Sequence, residues 1–296
     1  MSSSRHPIAL RLERQVGGAT RLLATVMLLP LVDGIFAALV LADALDSVVG
    51  IVQVGLLVFG GSATLAVIIA EMERDMRSQA KSVLLVGVPL VTIAALEAAV
   101  APTIASVIDT VIFERFAAVV IIAIAAKTAS ATIGEYLPRP SLIILLGLIA
   151  SVDPSGATIT LSSDLELMAR AAAAGLVGVT FAMGVVVLRP YIEGLVDIDR
   201  FRFGTAIALG TLAFSVINLV PSSAPLPVFA VAGLLAFDPA ADPDTATTPD
   251  APADDVTTAD GGASISDEDG DDPTDTAPQG YGYPGDQRAE ERAPWL

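Results

Sequence analysis

Six side chains in this very apolar chain are able to hold an ion or a small polar solute: Asp33, Glu97, Lys127, Asp153, Ser155 and Thr158. Asp33 is the twelfth residue of an apolar run, 22–42. At 1.5 Å per residue it lies ~16 Å along that run, the middle of a ~30 Å hydrocarbon layer. An ionisable group at such depth is costly and is as a rule paired, protonated or used. Asp153 lies about midway along 141–161, again after a valine, and is followed by Pro154 where Asp33 is followed by Gly34. The pair suggests a cation or proton site near mid-depth, with the hydroxyls of Ser155 and Thr158 as ligands where Asp-Pro-Ser-Gly opens the helix. The same four residues are also a turn sequence. Asp153 would then cap a helix starting at Pro154 and leave 141–152 as a half-span.

Glu97 falls in the outer third of its run and Lys127 in the inner third of its own. Each is able to reach its nearer interface with a long stem. By axial depth Asp33 lies between them, within about 10 Å of each, so an Asp33–Lys127 pair would reduce the cost of burying both. Gln53 and Asn218 read as ties between helices, and Gly60-Gly61-Ser62 as close helix packing or a flexible contact.

What is missing narrows the chemistry. The chain has no cysteine and one histidine, His6, in its polar N-terminal segment. Thiol catalysis, Cys/His metal sites and a serine–histidine triad within the apolar runs are therefore ruled out. No P-loop sequence occurs. The expectation is a protein that is not an enzyme and needs no cofactor or metal, with any energy supplied by an ion gradient or a partner.

The elements that would position these residues are membrane helices. Hydrophobic residues make up 53% of the chain and charged residues 17%, against roughly 25% charged in soluble domains. Long apolar runs recur without the period-two alternation of a barrel. The fold class is all-α, polytopic, with eight spans predicted at 22–42, 48–70, 83–104, 116–133, 141–161, 168–188, 203–220 and 224–237. The first run is too long for a signal sequence and contains Asp33, so it reads as a retained helix. With residues 1–21 in the cytoplasm, eleven basic residues fall on the inner side and two, Arg115 and Arg170, outside. An even number of spans returns the C-terminal segment to the cytoplasm, which implies a cell-membrane protein.

Offsetting the chain by 120 residues aligns Val32-Asp33 with Val152-Asp153, Gly55-Leu56 with Gly175-Leu176 and Glu73 with Glu193. This suggests two parallel four-helix halves. Beyond them, residues 238–296 carry −14 of the net charge of −17, with eight prolines and few large aliphatics. Such a segment is expected to be a disordered acidic tail, with a docking peptide at 281–296 as the other reading. The acidic, Lys-poor balance fits a saline cell and argues against nucleic acid as a partner.

The run ERFAAVVIIAIAAKTASATIGEYLPRPS (114–141), with LIASVDPSGATITL (148–161), resembles a family of uncharacterised multi-pass membrane proteins of haloarchaea over roughly residues 10–240. That resemblance implies membrane location and halophily, and no activity. The chain also resembles, more distantly, the lysine-exporter-like superfamily, whose halves often carry Asn/Asp-Pro in a leading helix. Here Val32-Asp33-Gly34 lacks the proline.

The leading expectation is an ion- or proton-coupled secondary transporter or exporter of a small solute or ion, sitting in a lipid bilayer and able to form a homo-oligomer. The alternative is a non-transporting scaffold or regulator that recruits a protein partner through the acidic tail.

Overall fold

The computed structural model describes residues 17–72, 75–153 and 164–237. Ser155, Thr158 and the acidic segment 238–296 lie outside them. Within them the chain is helical, with two isolated β-bridges, Ile108 to Val152 and Val196 to Phe237.

The first rod is α1 (Gly18–Val32) and α2 (Ile35–Leu41), bent by 41° at Asp33-Gly34. Pro30 lacks the N–H for the last turn of α1, and Gly34 takes a left-handed conformation, φ +77°, that breaks the helix. The second rod is α3 (Val48–Gly60) and α4 (Ser62–Glu71), bent by 46° at Gly61. Both of its halves end in wider π-type turns, 55–60 and 67–71. There follow α5 (Met76–Ala105), α6 (Thr110–Ala129), the short α7 (Ala131–Tyr136), α8 (Pro140–Ser151), α9 (Leu165–Ile192), α10 (Ile198–Val216) and α11 (Pro225–Leu235).

Two of these helices, α5 and α9, are long and apolar enough to cross a membrane, and up to four spans result if each bent rod is one. Helices α6 and α10 are long but carry three charges each: Glu114, Arg115 and Lys127, and Asp199, Arg200 and Arg202. Helices α8 and α11 are apolar and short. The span predicted at 141–161 is corrected: α8 stops at Ser151, because Asp153 donates its backbone N–H to Val107 O (2.9 Å) instead of continuing the helix.

The helices repeat with inverted direction. A Cβ on Gly87 would come within 2.7 Å of Val179, and one on Gly175 within 3.3 Å of Val91, so α5 and α9 run antiparallel in close contact. Gly87 and Gly175 stand 88 positions apart, as do Val91 and Val179. The two contacts thus exchange under a two-fold rotation. The same shift relates Asp109 to Asp197, each the N-cap of the next helix, and buried Phe113 to buried Phe201. The short helices follow with a shift of 85. Asp109 N–H bonds Ser151 O at 2.6 Å, and Asp197 N–H bonds Ala236 O at 2.8 Å. Likewise α8 packs on α6 where Gly147 meets Phe116, and α11 packs on α10 where Ala232 meets Gly204.

The bent rods obey the same dyad. Thr20 Oγ1 lies 2.9 Å from Ser82 Oγ at the start of α5, and α2 still touches α5, so the first rod runs along α5 in its direction. The second runs along α9 in its direction, touching it at Asp46–Arg170, Gly55–Val177, Gly60–Phe181 and Ile69–Arg189 in turn. One half is therefore the first rod with α5, α6 and α8, and the other is the second rod with α9, α10 and α11. This corrects the expectation of two parallel, consecutive halves. The 120-residue offset pairs neighbours lying side by side, such as Gly55 and Ala174–Val177, not symmetry mates.

The outer faces of the bundle are apolar, with Leu84, Leu85, Val88 and Leu96 on α5 and Leu142, Leu145 and Leu146 on α8 all exposed. So much exposed aliphatic surface suits lipid and not water. The interior is built mainly of small and aliphatic side chains around Phe36 and Phe59, whose rings meet at 5.2 Å where the two rods cross.

Candidate functional site

The break of the first rod presents the most chemistry. Asp33 closes α1, its N–H bonded to Leu29 O at 2.8 Å, and Gly34 N–H bonds Leu31 O at 3.0 Å. The turn leaves the Asp33 carboxylate half-buried between the two half-helices. Gly34 faces Ile144 of α8, which would stand 3.6 Å from a Cβ there. Lys127, exposed in the last turn of α6, is near enough to act electrostatically on Asp33, without forming a contact ion pair with it. The Lys127 stem packs on Gly134 of α7.

Glu97 belongs to the same level. From the Thr20–Ser82 contact, thirteen residues along each rod bring Asp33 level with Ala95, within about half a turn of Glu97. Glu97 is half-buried, and its Oε2 is enclosed and has no hydrogen-bond partner. Asp153 is elsewhere. Gly34 touches α8 at Ile144, nine residues before Asp153, so the second aspartate lies ~13 Å further along, exposed beyond the end of α8. The structure brings Asp33 within electrostatic range of Lys127 and puts Glu97 at the same axial level. It separates Asp153 from them.

The mate of this break, at Gly60-Gly61, is built differently. Ser62, Thr64 and Thr205 are buried there, and no charged residue is. Thr64 donates to Phe59 O and Thr205 to Phe201 O, both at 2.8 Å. Thr205 Cγ2 would stand 3.5 Å from a Cβ on Gly61. Gln53, also buried, ties α3 to the loop before α11 by donating to Ser222 O at 2.8 Å, as its type suggested. Asn218 takes a left-handed turn conformation, φ +57°, after α10.

Two arginines, whose role sequence reasoning missed, clamp α9 to the second rod. At one end Arg170 pairs with Asp46 (3.0 Å) and with Glu166. At the other, Arg189 is 6% exposed. It donates to Ile69 O (2.8 Å) and Met72 O (3.1 Å), and lies 3.4 Å from Glu193. Ile69 lies in the π-type last turn of α4 and Met72 just beyond it, where a helix leaves carbonyls to be capped. The signal was present in a lone arginine next to Pro190 at the end of an apolar run.

Outside the apolar segments, Asp43 sits in the turn after α2 at φ +53°. Burial, and then its neighbour Asp46, push its carboxyl above the usual range. Among the described residues no three His, Cys, Asp or Glu side chains group as a metal site would need. The first break offers one carboxylate, Asp33, with Lys127 in electrostatic range. It has no nucleophile poised beside a base.

No curated protein and no solved structure matches the chain. Residues 90–217, from within α5 to just past α10 and so through most of the dyad-related core, match a family of unknown function (DUF5794).

Proposed function

We propose that this protein is a secondary transporter that moves a small solute or ion through the cell membrane, driven by an ion or proton gradient. The observation that carries the reading is the pair of bent rods in corresponding positions of two inverted halves, one of them broken at an acid. Inverted repeats with discontinuous helices at mid-depth are the architecture by which alternating access around a fixed site is achieved. In this reading all eight rods cross or enter the bilayer, both termini are cytoplasmic, and Asp33 binds the driven ion. Lys127 offsets its charge when the ion is absent. The acidic segment 238–296 is accessory to transport.

The test is flux in proteoliposomes carrying the full chain, with sodium, potassium and proton gradients imposed in turn and ion-sensitive dyes trapped inside. Gradient-driven flux should fall at least tenfold in Asp33→Asn, about 1.4 kcal/mol or more of lost stabilisation. It should persist when 238–296 is deleted. Unchanged flux in Asp33→Asn, or flux lost only with the tail, would favour the scaffold and overturn the transporter.

A further inference from the structure

We infer that Glu97 is a reversible proton-binding site, and hence that the coupling ion is a proton. The inference rests on the transporter reading for its meaning, and on the surroundings of Glu97 for its content.

Glu97 Oε2 is shut away from solvent with no donor facing it. The elements packed on α5 are α1, α2 and α9. The charged groups they contribute are Arg21 at the far end of α1, Asp33 at its break, and Glu166, Arg170 and Arg189 on α9. The antiparallel register of α5 and α9 brings Ala169 level with Glu97, so Arg170 comes nearest. Its guanidinium is turned the other way, to Asp46 and Glu166. None of these groups donates a hydrogen bond to Glu97 Oε2. An ionised carboxylate with one oxygen so enclosed lacks, at that oxygen, the hydrogen bond that a buried charge requires. A metal cation is poorly served as well, because it needs several oxygens converging on one point. A proton needs one.

Packing does not require an acid at this point. The dyad mate of Glu97, shifted by 88, is Val185, an aliphatic side chain 5% exposed in the equivalent place. The fold accepts valine there, so the carboxyl group is an addition to the scaffold and not part of it. It lies level with the break that bears Asp33, so the two carboxyl groups fall at one depth of the bundle.

The experiment joins infrared titration of the full-length protein in lipid to proton flux in proteoliposomes, read by a trapped pH dye under an imposed proton gradient. The wild type should show a protonated carboxylic-acid band typical of apolar surroundings that is absent in Glu97→Gln. Proton flux should fall at least tenfold in Glu97→Gln and in Glu97→Val, the latter borrowing the residue of the mate, and should partly return in Glu97→Asp. An unchanged band in Glu97→Gln overturns the proposal. So does wild-type proton flux in both Glu97→Gln and Glu97→Val while Asp33→Asn abolishes it. If the band is lost but the wild type carries no flux under any gradient, the transporter reading fails and Glu97 stands as a proton-binding site.

Discussion

The two halves share one geometry and differ in chemistry. Each has a bent rod laid along a long helix, a second long helix that starts at an aspartate N-cap, and a short helix bridged to the base of that second helix. In the first half the rod breaks at Asp33, with Glu97 level and Lys127 in electrostatic range. In the second it breaks at two glycines among buried hydroxyls, and Val185 replaces Glu97. The second half is also more tightly bound to its rod. A Cβ on Gly55 would lie 2.6 Å from Ala174 O, one on Gly178 would lie 2.5 Å from Phe59 Cβ, and Arg189 anchors the end. On the reading proposed above, such a division leaves one half as an ordered frame and gives the other the groups that change charge.

The comparison breaks most severely at the glycine seam. Gly55→Leu or Gly178→Leu should cost about 3 kcal/mol or more, since backbone and Cβ atoms, not the far end of a flexible side chain, lie in the way. The measurement is the yield of monodisperse protein in detergent and its melting temperature. A wild-type melt for Gly55→Leu would mean that the rod is not seated on α9 as described.

Next comes the clamp. Arg189→Met should lose about 1–3 kcal/mol, because it removes the donors to the Ile69 and Met72 carbonyls and the charge beside Glu193. Arg170→Met, which removes an exposed pair, should leave the melting temperature unchanged within measurement. Equal losses in the two variants would remove the distinction between a buried anchor and a surface ion pair.

A smaller effect of opposite sign sharpens the contrast between mates. Glu97→Val should raise stability by about 1 kcal/mol while abolishing proton flux, and Val185→Glu should destabilise, because only one half has a use for an acid. Calorimetry of the two variants in the same lipid decides it.

The smallest effect concerns Asp43. Its raised folded pKa means that the folded protein holds this proton more tightly than the unfolded chain does. Its contribution to stability therefore grows as pH falls through the raised value and levels off below the unfolded value of about 3.9. Asp43→Asn keeps a residue type that tolerates φ +53°. It should melt slightly higher than wild type at neutral pH, with the gap closing on acidification.

Much of the fold was legible in residue patterns. Seven of the eight predicted runs coincide with helical rods to within a few residues, apart from the longer starts of α5, α6 and α10 and the earlier end of α10. The eighth was overextended, because apolar residues continue past Ser151 while the backbone turns to Val107. The break at Asp33 was readable from an acid beside a glycine in an apolar run. The break at Gly61 is not specified by sequence, since Gly60-Gly61-Ser62 signals close packing or a flexible contact equally well. The repeat was misread because residues that touch along parallel rods resemble each other as much as symmetry mates do. The informative marks were sparse: Asp109 and Asp197, each followed four residues later by phenylalanine, and Pro102 with Pro190.

Composition and periodicity alone determined that this chain is a bundle of apolar helices carrying a few isolated charges, because hydropathy is a local property of each segment. Which charges share a depth depended on tertiary structure, because depth follows from how rods pack. Asp33 and Glu97 are level only because α1 starts beside Ser82. Asp153 is remote only because α8 passes Gly34 nine residues before reaching it.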